Sequence, residues 1–310
     1  MRVGVEIRVK SISVVDALLL MVMVIWGVNF TVVKVSLREM DSLAFNSIRF
    51  SLASVILLIL VFSTGVTRLD RRTVARLFAI GLIGNGLYQV LFILGISRTF
   101  AGVTSLILAS TPIFVSILNA LIGIERVGVR GWVGIGSSFL GILLMINIGS
   151  LVEPVGLPSI LGDLLILAAT ACWAIYTVLS RPLLSSLSPL QFVAYTVALG
   201  TPFLVLVSIP SLVNQNFAAV SWLGWAGLIF SSTLAIGFAY VVWYSGVREI
   251  GSTRTAIYEN LSPVVAVLFA WQVLGERLLP TQLLGAALVF LGIYLTRFSS
   301  HQEKNKLSPG

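Results

Sequence analysis

The sequence predicts an all-α integral membrane protein in which ten transmembrane helices form two inverted five-helix repeats. Hydrophobic residues make up 57% of the 310 residues and charged residues only 10%, whereas about 25% of the residues of an ordinary soluble domain are charged. Residues 95–145 also align without a gap with residues 246–296, at a constant offset of 151. The composition therefore indicates a bilayer environment, and the offset indicates an internal duplication.

Ten apolar runs in the sequence are long enough to cross a membrane. Each has roughly 17–23 residues, and about 20 helical residues are needed to cross the hydrocarbon core of about 30 Å. Because lipid offers the backbone no hydrogen-bond partners, each run should be helical. The predicted spans are residues 14–36, 42–63, 74–97, 102–121, 129–148, 159–180, 190–210, 221–246, 253–273 and 280–297.

The internal duplication assigns five spans to each half of the chain. The first repeat covers residues 14–148, the second covers residues 159–297, and a polar cytoplasmic tail is predicted at 298–310. Since five is an odd number, the second repeat enters the membrane in the opposite sense, which predicts a pseudo-two-fold axis in the membrane plane. The matched pairs include Gly95 with Gly246, Thr104 with Thr255, Pro112 with Pro263, Glu125 with Glu276 and Gly141 with Gly292 at offset 151, and Asp16 with Asp163 and Trp26 with Trp173 at offset 147.

The distribution of basic residues predicts the orientation of the chain. Fifteen Lys and Arg residues lie on the amino-terminal side of the predicted spans, and four lie on the opposite side. Since basic loops stay in the cytoplasm, both termini should be cytoplasmic. We therefore expect a multi-pass protein of the cell inner membrane or plasma membrane.

Several classes of function are excluded by what the sequence lacks. The one cysteine, Cys172, lies in an apolar run and the one histidine, His301, lies in the tail, so we expect no metal site and no cofactor. The sequence contains no P-loop pattern, and Asp16 and Asp163 lie on opposite sides of the membrane, which excludes an aspartyl intramembrane protease. The net charge of +8 is spread over short loops, which argues against a nucleic-acid partner. We predict that the chain is not an enzyme.

Several stretches resemble a known transporter family. The late parts of two EamA domains are similar to TRTAIYENLSPVVAVLFAWQVLGERL at 253–278 and to VTSLILASTPIFVSILNALIGIERV at 103–127. The opening of such a domain resembles WGVNF at 26–30 and FNSIRFSLA at 45–53. The chain thus resembles the ten-span branch of the drug/metabolite transporter superfamily. The resemblance implies a central cavity between the repeats, with export of a metabolite as the commoner direction.

Aromatic and amide side chains inside the predicted spans are candidates for the wall of a cavity. Aromatic walls with few charges favour a substrate that has an apolar part, such as an apolar or aromatic amino acid. The amides of the third span either line the cavity or hydrogen-bond to neighbouring helices. The candidate substrate-binding residues are Trp26, Asn29, Asn85, Tyr88, Gln89, Trp173, Tyr176, Trp243, Tyr258 and Glu259.

Glu259 is the most informative single residue, since it lies about 9–10 Å deep in the ninth span at about 1.5 Å per residue. A carboxylate there costs about 2.5–3.5 kcal/mol unless it faces a cavity or a partner. Glu259 is therefore the candidate for proton coupling or for contact with a substrate ammonium group. The alternative is a carboxyl that is satisfied by a neighbouring hydroxyl or kept neutral by burial.

Arg49 is the other charged residue within a span. Its depth from one membrane face is about the same as the depth of Glu259 from the opposite face. That depth argues against an ion pair with Glu259. Arg49 is expected to have a structural role, by extending to the membrane surface or by bonding to carbonyl groups; a contact with substrate is the alternative.

Prolines and small residues predict the shapes and contacts of the helices. Pro112 and Pro263 should bend equivalent spans, either as fixed kinks or as a gate. Gly134, Gly141 and Gly292 permit close helix approach, and they favour packing within the chain over dimerisation. We therefore expect a monomer or a weak homodimer.

The function predicted from these features is a secondary transporter that exports small metabolites by alternating access. Its expected partners are a small-molecule substrate and the lipid bilayer, with protons as candidate coupling ions. The alternative is a facilitative channel or a lipid scramblase. Such a protein would show conductance or lipid movement without saturable exchange.

Overall fold

The computed structural model describes residues 14–65, 69–123, 128–144 and 157–306. These residues are mostly helical, and no strand occurs among them. The α-helices are α1 (Val14–Ser36), α2 (Ser42–Thr64), α3 (Arg71–Gly81), α4 (Tyr88–Ile96), α5 (Ala101–Leu108), α6 (Thr111–Leu121), α7 (Val129–Leu143), α8 (Leu157–Ser180), α9 (Pro189–Asn214), α10 (Trp222–Phe230), α11 (Ala239–Ile250), α12 (Ser252–Ala256), α13 (Ser262–Phe269) and α14 (Pro280–Lys306).

Eight helical segments in the described residues are long and apolar enough to cross a membrane. They correspond to the first four predicted spans and to the sixth to ninth. The fifth and tenth predicted spans contain the shorter apolar helices Val129–Leu143 and Pro280–Leu295, and the predicted end of the fifth, at 145–148, lies outside the described residues. The protein is therefore a multi-pass, all-α membrane protein, whereas the count of ten spans and the inverted arrangement stay predictions.

Polar side chains mark the beginnings of two long spans. Asp41 Oδ1 accepts hydrogen bonds from the backbone N–H groups of Leu43 (2.9 Å) and Ala44 (3.3 Å) at the start of α2. Ser188 and Gln191 form a capping box at the start of α9. The first N–H groups of a helix have no partner within the helix. These caps supply side-chain acceptors for some of those N–H groups.

The fourth and ninth spans are interrupted next to their prolines. α5 and α6 meet at a break just before Pro112, which lies in the first turn of α6. In the ninth span the 3₁₀ segment Tyr258–Leu261 precedes α13, whose first turn contains Pro263. Since proline lacks an N–H group, the first turn of a helix accommodates it without loss of a helical hydrogen bond. Both breaks lie beside the central cavity, which Ala109 and Ser262 help to line.

Three π-helical segments, which were not predicted from the sequence, also occur within the spans that the structure describes in full. In a π turn each backbone hydrogen bond joins residues five positions apart, compared with four in an α-helix, and such turns often lie at functional sites. Hydropathy does not predict such a segment, because all three lie inside longer apolar runs. The π segments are Leu82–Leu87, Ser231–Phe238 and Ala270–Leu274.

Glycines bring α7 and α14 into backbone contact. A Cβ atom on Gly292 would lie 2.0 Å from Ser138 Oγ and 2.2 Å from the carbonyl oxygen of Gly134. A Cβ atom on Gly141 would lie 2.4 Å from the carbonyl oxygen of Gly285. Any larger residue would push the two helices apart. The small residues of these two helices therefore pack against each other within the chain.

Candidate functional site

A cavity lies among the spans, and both halves of the chain contribute to its wall. Its residues come from the interior parts of the spans, where a polar or charged group has little access to water. Aromatic rings, amides and two ionisable groups dominate the lining. The residues that line it are Trp26, Asn29, Phe30, Arg49, Tyr88, Gln89, Phe92, Ser105, Leu108, Ala109, Trp173, Ala235, Ile236, Tyr240, Glu259 and Ser262.

The cavity is small in this conformation. Its volume is about 60 Å³, and one water molecule needs roughly 10–15 Å³ on this measure. The cavity therefore has room for about five water molecules. Five water molecules correspond to about 150 Å³ of liquid volume, so an aromatic amino acid is larger than this space and the walls have to separate before it can enter.

Most of the predicted binding residues line the cavity, and four of them do not. Asn85 Nδ2 donates a hydrogen bond of 3.1 Å to the Tyr176 hydroxyl, and both side chains are fully buried. Trp243 is also fully buried, and the Tyr258 hydroxyl donates to Asp16 Oδ1. Contact of these four with a substrate stays a prediction. The predicted residues that do line the cavity are Trp26, Asn29, Tyr88, Gln89, Trp173 and Glu259.

Trp173 is the centre of the aromatic wall. Its ring centroid lies 5.2 Å from that of Tyr88, 5.3 Å from that of Tyr240 and 5.8 Å from that of Trp26. These separations are in the favourable range for aromatic pairs. These contacts restrain the orientation of each ring, so the cavity has a preformed apolar surface.

Glu259 lies against this wall on the 3₁₀ segment of the ninth span. The side chain is 7% exposed, and its Oε1 accepts a hydrogen bond of 2.9 Å from Trp173 Nε1. Its Oε2 is buried and accepts no hydrogen bond from any residue that the structure describes. The side chain of Thr111 lies near this carboxyl group. A buried carboxyl with one oxygen unbonded can accept a hydrogen bond from a ligand or can hold a proton.

Arg49 lines the same cavity and is only 2% exposed. Its Nε donates to Asn46 Oδ1 (2.9 Å), and its Nη2 donates to Gln89 Oε1 (2.8 Å). The expectation that Arg49 extends to the membrane surface is wrong, because side-chain amides inside the bundle bind it. No ion pair joins Arg49 and Glu259 among the described residues, in agreement with the argument from depth.

Polar contacts also join elements of both halves at one end of the spans. Lys34 Nζ donates to the carbonyl oxygen of Thr99 (2.7 Å), and the Thr99 hydroxyl donates to Asp163 Oδ1 (2.5 Å). The carboxylate of Glu276 accepts from the backbone N–H groups of Ala101 (3.0 Å) and its neighbour (3.1 Å) at the start of α5. Glu276 thus caps a helix of the first half from the second half. Its predicted repeat partner at 125 lies outside the described residues.

Six residues of the lining were not predicted from the sequence: one is aromatic, one carries a hydroxyl group and four are aliphatic. These residues lie beside the break between α5 and α6, in the second π segment, or on α1. None of them is unusual enough within a span to be distinguished from its neighbours. The missed residues are Phe30, Ser105, Leu108, Ala109, Ala235 and Ile236.

The chain is similar to known transporters over nearly its whole length. A family model described as "EamA-like transporter family" matches residues 14–147 and 160–298. "Uncharacterized transporter YyaM" of Bacillus subtilis (strain 168) is 30% identical over 270 residues, which cover 86% of this chain and 88% of that protein. A "Probable amino-acid metabolite efflux pump" of Salmonella typhimurium is 28% identical over 91% of this chain and 94% of that protein.

A solved structure shares the fold. It superposes with a TM-score of 0.67 at 14% sequence identity, covering 94% of this chain and 100% of that one. At this identity the likeness concerns the fold alone, whereas the family match concerns the sequence of both halves. The chain belongs to the EamA-like transporter family.

Proposed function

We propose that the protein is a secondary transporter that exports a small metabolite with an apolar part, such as an apolar or aromatic amino acid, by alternating access. The observation that carries this proposal is the cavity walled by Trp26, Tyr88, Trp173 and Tyr240, with Glu259 at the same wall. Rings bind an apolar side chain, and the carboxyl binds either the substrate ammonium group or a coupling proton. The similarity to an amino-acid metabolite efflux pump supports this substrate class.

The size of the cavity favours a carrier over an open pore. A volume of about 60 Å³ has room for a few water molecules and is smaller than an aromatic amino acid. A carrier passes through such a closed conformation between its two open ones, and the broken fourth and ninth spans provide places where helices can change direction. A channel that conducts in this conformation would need a wider passage.

Contacts between the two halves support a cavity near a pseudo-two-fold axis. Trp26 and Trp173 are equivalent at offset 147, and their ring centroids lie 5.8 Å apart. Two residues that are related by a two-fold axis can touch each other only near that axis. Rocking of the halves about this axis would expose the cavity to one side of the membrane and then to the other. We place both termini in the cytoplasm, as the basic loops predict.

Counterflow of labelled compounds into proteoliposomes that contain the purified chain tests this function. The compounds are apolar, polar and acidic amino acids, polyamines and sugars, each loaded unlabelled inside and offered labelled outside. We expect saturable exchange of the apolar amino acids and none of the acidic ones. Movement of ions or lipid without saturable exchange would instead indicate a channel or a scramblase.

A matched pair of tryptophan variants separates the cavity from the rest of the bundle. Trp173→Ala removes the central ring of the wall and the donor to Glu259, so exchange should fall at least about tenfold. Trp222→Ala removes a tryptophan that is 79% exposed and should leave exchange within about twofold. Equal loss in both variants would show that the wall has no special part in transport.

A further inference from the structure

We propose that Arg49 binds the carboxylate of the transported molecule, so that the cavity selects substrates with an anionic group. This inference rests on the proposed function and adds a specificity-determining residue to it. Arg49 is a cation inside the spans that lines the cavity, and the structure offers it partners without charge. Glu259, the acidic group of the lining, then serves the opposite end of a zwitterion.

The guanidinium of Arg49 is buried without a counter-ion. Its hydrogen bonds go to the amide oxygens of Asn46 and Gln89, which are neutral. No carboxylate among the described residues forms an ion pair with it. An unpaired cation buried at this depth is costly, and a charged residue inside a span generally serves the substrate path. The missing negative charge is therefore expected from a ligand.

One edge of the guanidinium is available to such a ligand. The hydrogen bonds use Nε and Nη2, and Nη1 has no acceptor among the residues that the structure describes. Because Arg49 lines the cavity, an anion within the cavity can accept from this edge. Guanidinium groups suit carboxylates, since two parallel N–H groups can bind two oxygens.

The surrounding side chains hold the guanidinium in place. The rings of Phe45, Phe50 and Phe92 have their centroids 5.4, 5.6 and 5.7 Å from the Arg49 Cζ atom, in the range of cation–π contacts. Gln89 is itself fixed, because its Nε2 donates to the Tyr240 hydroxyl at 3.0 Å. The arginine therefore pays little further ordering cost when an anion arrives.

The second charged group, Glu259, lines the same cavity. Tyr88 is also part of this lining, and no ion pair between Arg49 and Glu259 occurs among the described residues. A zwitterion bound between them has its carboxylate at Arg49, its ammonium group at Glu259 and its apolar side chain on the rings. This arrangement would reject a compound that lacks either charge.

Competition by two analogues that lack the carboxylate tests the role of Arg49 in the wild-type chain. Counterflow of labelled L-phenylalanine, or of the apolar amino acid that exchanges best, is measured with unlabelled amino acid, its carboxamide and its decarboxylated amine as competitors. We expect both analogues to compete about 10- to 100-fold less well than the amino acid. Equal competition by the carboxamide would overturn the inference and leave the proposed function intact. If no amino acid exchanges at all, the proposed function itself is wrong.

Variants of Arg49 assign the preference to this residue. Arg49→Gln should raise the KM of the amino acid about 10- to 100-fold and leave competition by the carboxamide unchanged, so the preference disappears. Arg49→Lys should retain part of it, because the charge remains. Arg98→Gln is the control, since Arg98 is exposed and bonds to its own helix. If Arg49→Gln retains the full preference for the amino acid over its carboxamide, Arg49 does not bind the carboxylate. If the variant does not fold, the competition series in the wild-type chain decides whether the carboxylate is recognised.

Discussion

Gln89 Nε2 donates a hydrogen bond of 3.0 Å to the hydroxyl of Tyr240, a residue 151 positions later in the chain. The same separation of 151 relates residues 95–145 to residues 246–296 in the sequence. Ser137 Oγ also donates to the carbonyl oxygen of Leu288 (3.2 Å), again 151 positions apart. Ser137 and Leu288 are equivalent in that alignment, and equivalent residues that touch each other lie near the axis that relates them. The second contact therefore supports the proposed pseudo-two-fold arrangement, and the first shows the same separation just outside the aligned stretch.

Glu259→Gln should impair transport, because the amide has nearly the same volume but no charge. Loss of a charge-assisted hydrogen bond costs about 1.5–3 kcal/mol, which corresponds to about a 10- to 100-fold rise in KM for an apolar amino acid. Counterflow at several pH values measures both the loss and any change in pH dependence. Glu249→Gln is the control, since Glu249 is exposed at the end of α11. Normal transport with an unaltered pH profile in Glu259→Gln would mean that Glu259 neither couples protons nor binds substrate.

Pro263→Ala should slow exchange, because alanine supplies the N–H group that lets a helix continue through the break before α13. One added helical hydrogen bond contributes about 0.5–1.5 kcal/mol, so the expected reduction in exchange rate is about 2- to 10-fold. Pro202→Ala provides the control, since Pro202 lies within the continuous helix α9. The rates come from counterflow time courses. An unchanged rate in Pro263→Ala would leave the proline as a fixed kink and not a gate.

Gly292→Ala should destabilise the fold, because the new Cβ atom would lie 2.0 Å from Ser138 Oγ and 2.2 Å from a backbone carbonyl oxygen. Overpacking of this kind costs about 1–3 kcal/mol. Gly136→Ala is the matched control in α7, because nothing lies within 4 Å of its Cβ position, and helix propensity then favours alanine by up to about 1 kcal/mol. Thermal unfolding in detergent compares the two. A similar Tm for both variants would mean that α7 and α14 are not in close contact.

Cysteine labelling should reveal the orientation of the loops. In a Cys172→Ala background, we expect a membrane-impermeant maleimide to label Asn216→Cys in intact cells. Ser185→Cys should react only after the membrane is made permeable. Both positions are exposed in the structure, and the basic loops place them on opposite sides of the membrane. The reverse pattern would place the termini outside the cytoplasm.

The positions of the exceptional side chains along the spans were predictable, but their contacts were not. Glu259 and Trp173 are identifiable in the sequence because carboxylates and indoles are uncommon in the middle of apolar runs. That the indole donates to the carboxylate at 2.9 Å depends on how two distant spans are rotated against each other. Arg49 illustrates the same limit, since hydropathy alone does not distinguish an arginine at the surface from one bound to Asn46 and Gln89 inside the bundle.

The sequence by itself determined the solvent, the helical class and the family, because these depend on composition, on the length of apolar runs and on residue order. Tertiary structure alone decided which faces of the spans enclose the cavity. A uniform helical period cannot describe spans that contain the π segments Leu82–Leu87 and Ser231–Phe238, since a π turn shifts every later side chain around the helix axis. Asn85 of the first segment is absent from the lining and bonds to Tyr176, whereas Ala235 and Ile236 of the second segment are part of the lining.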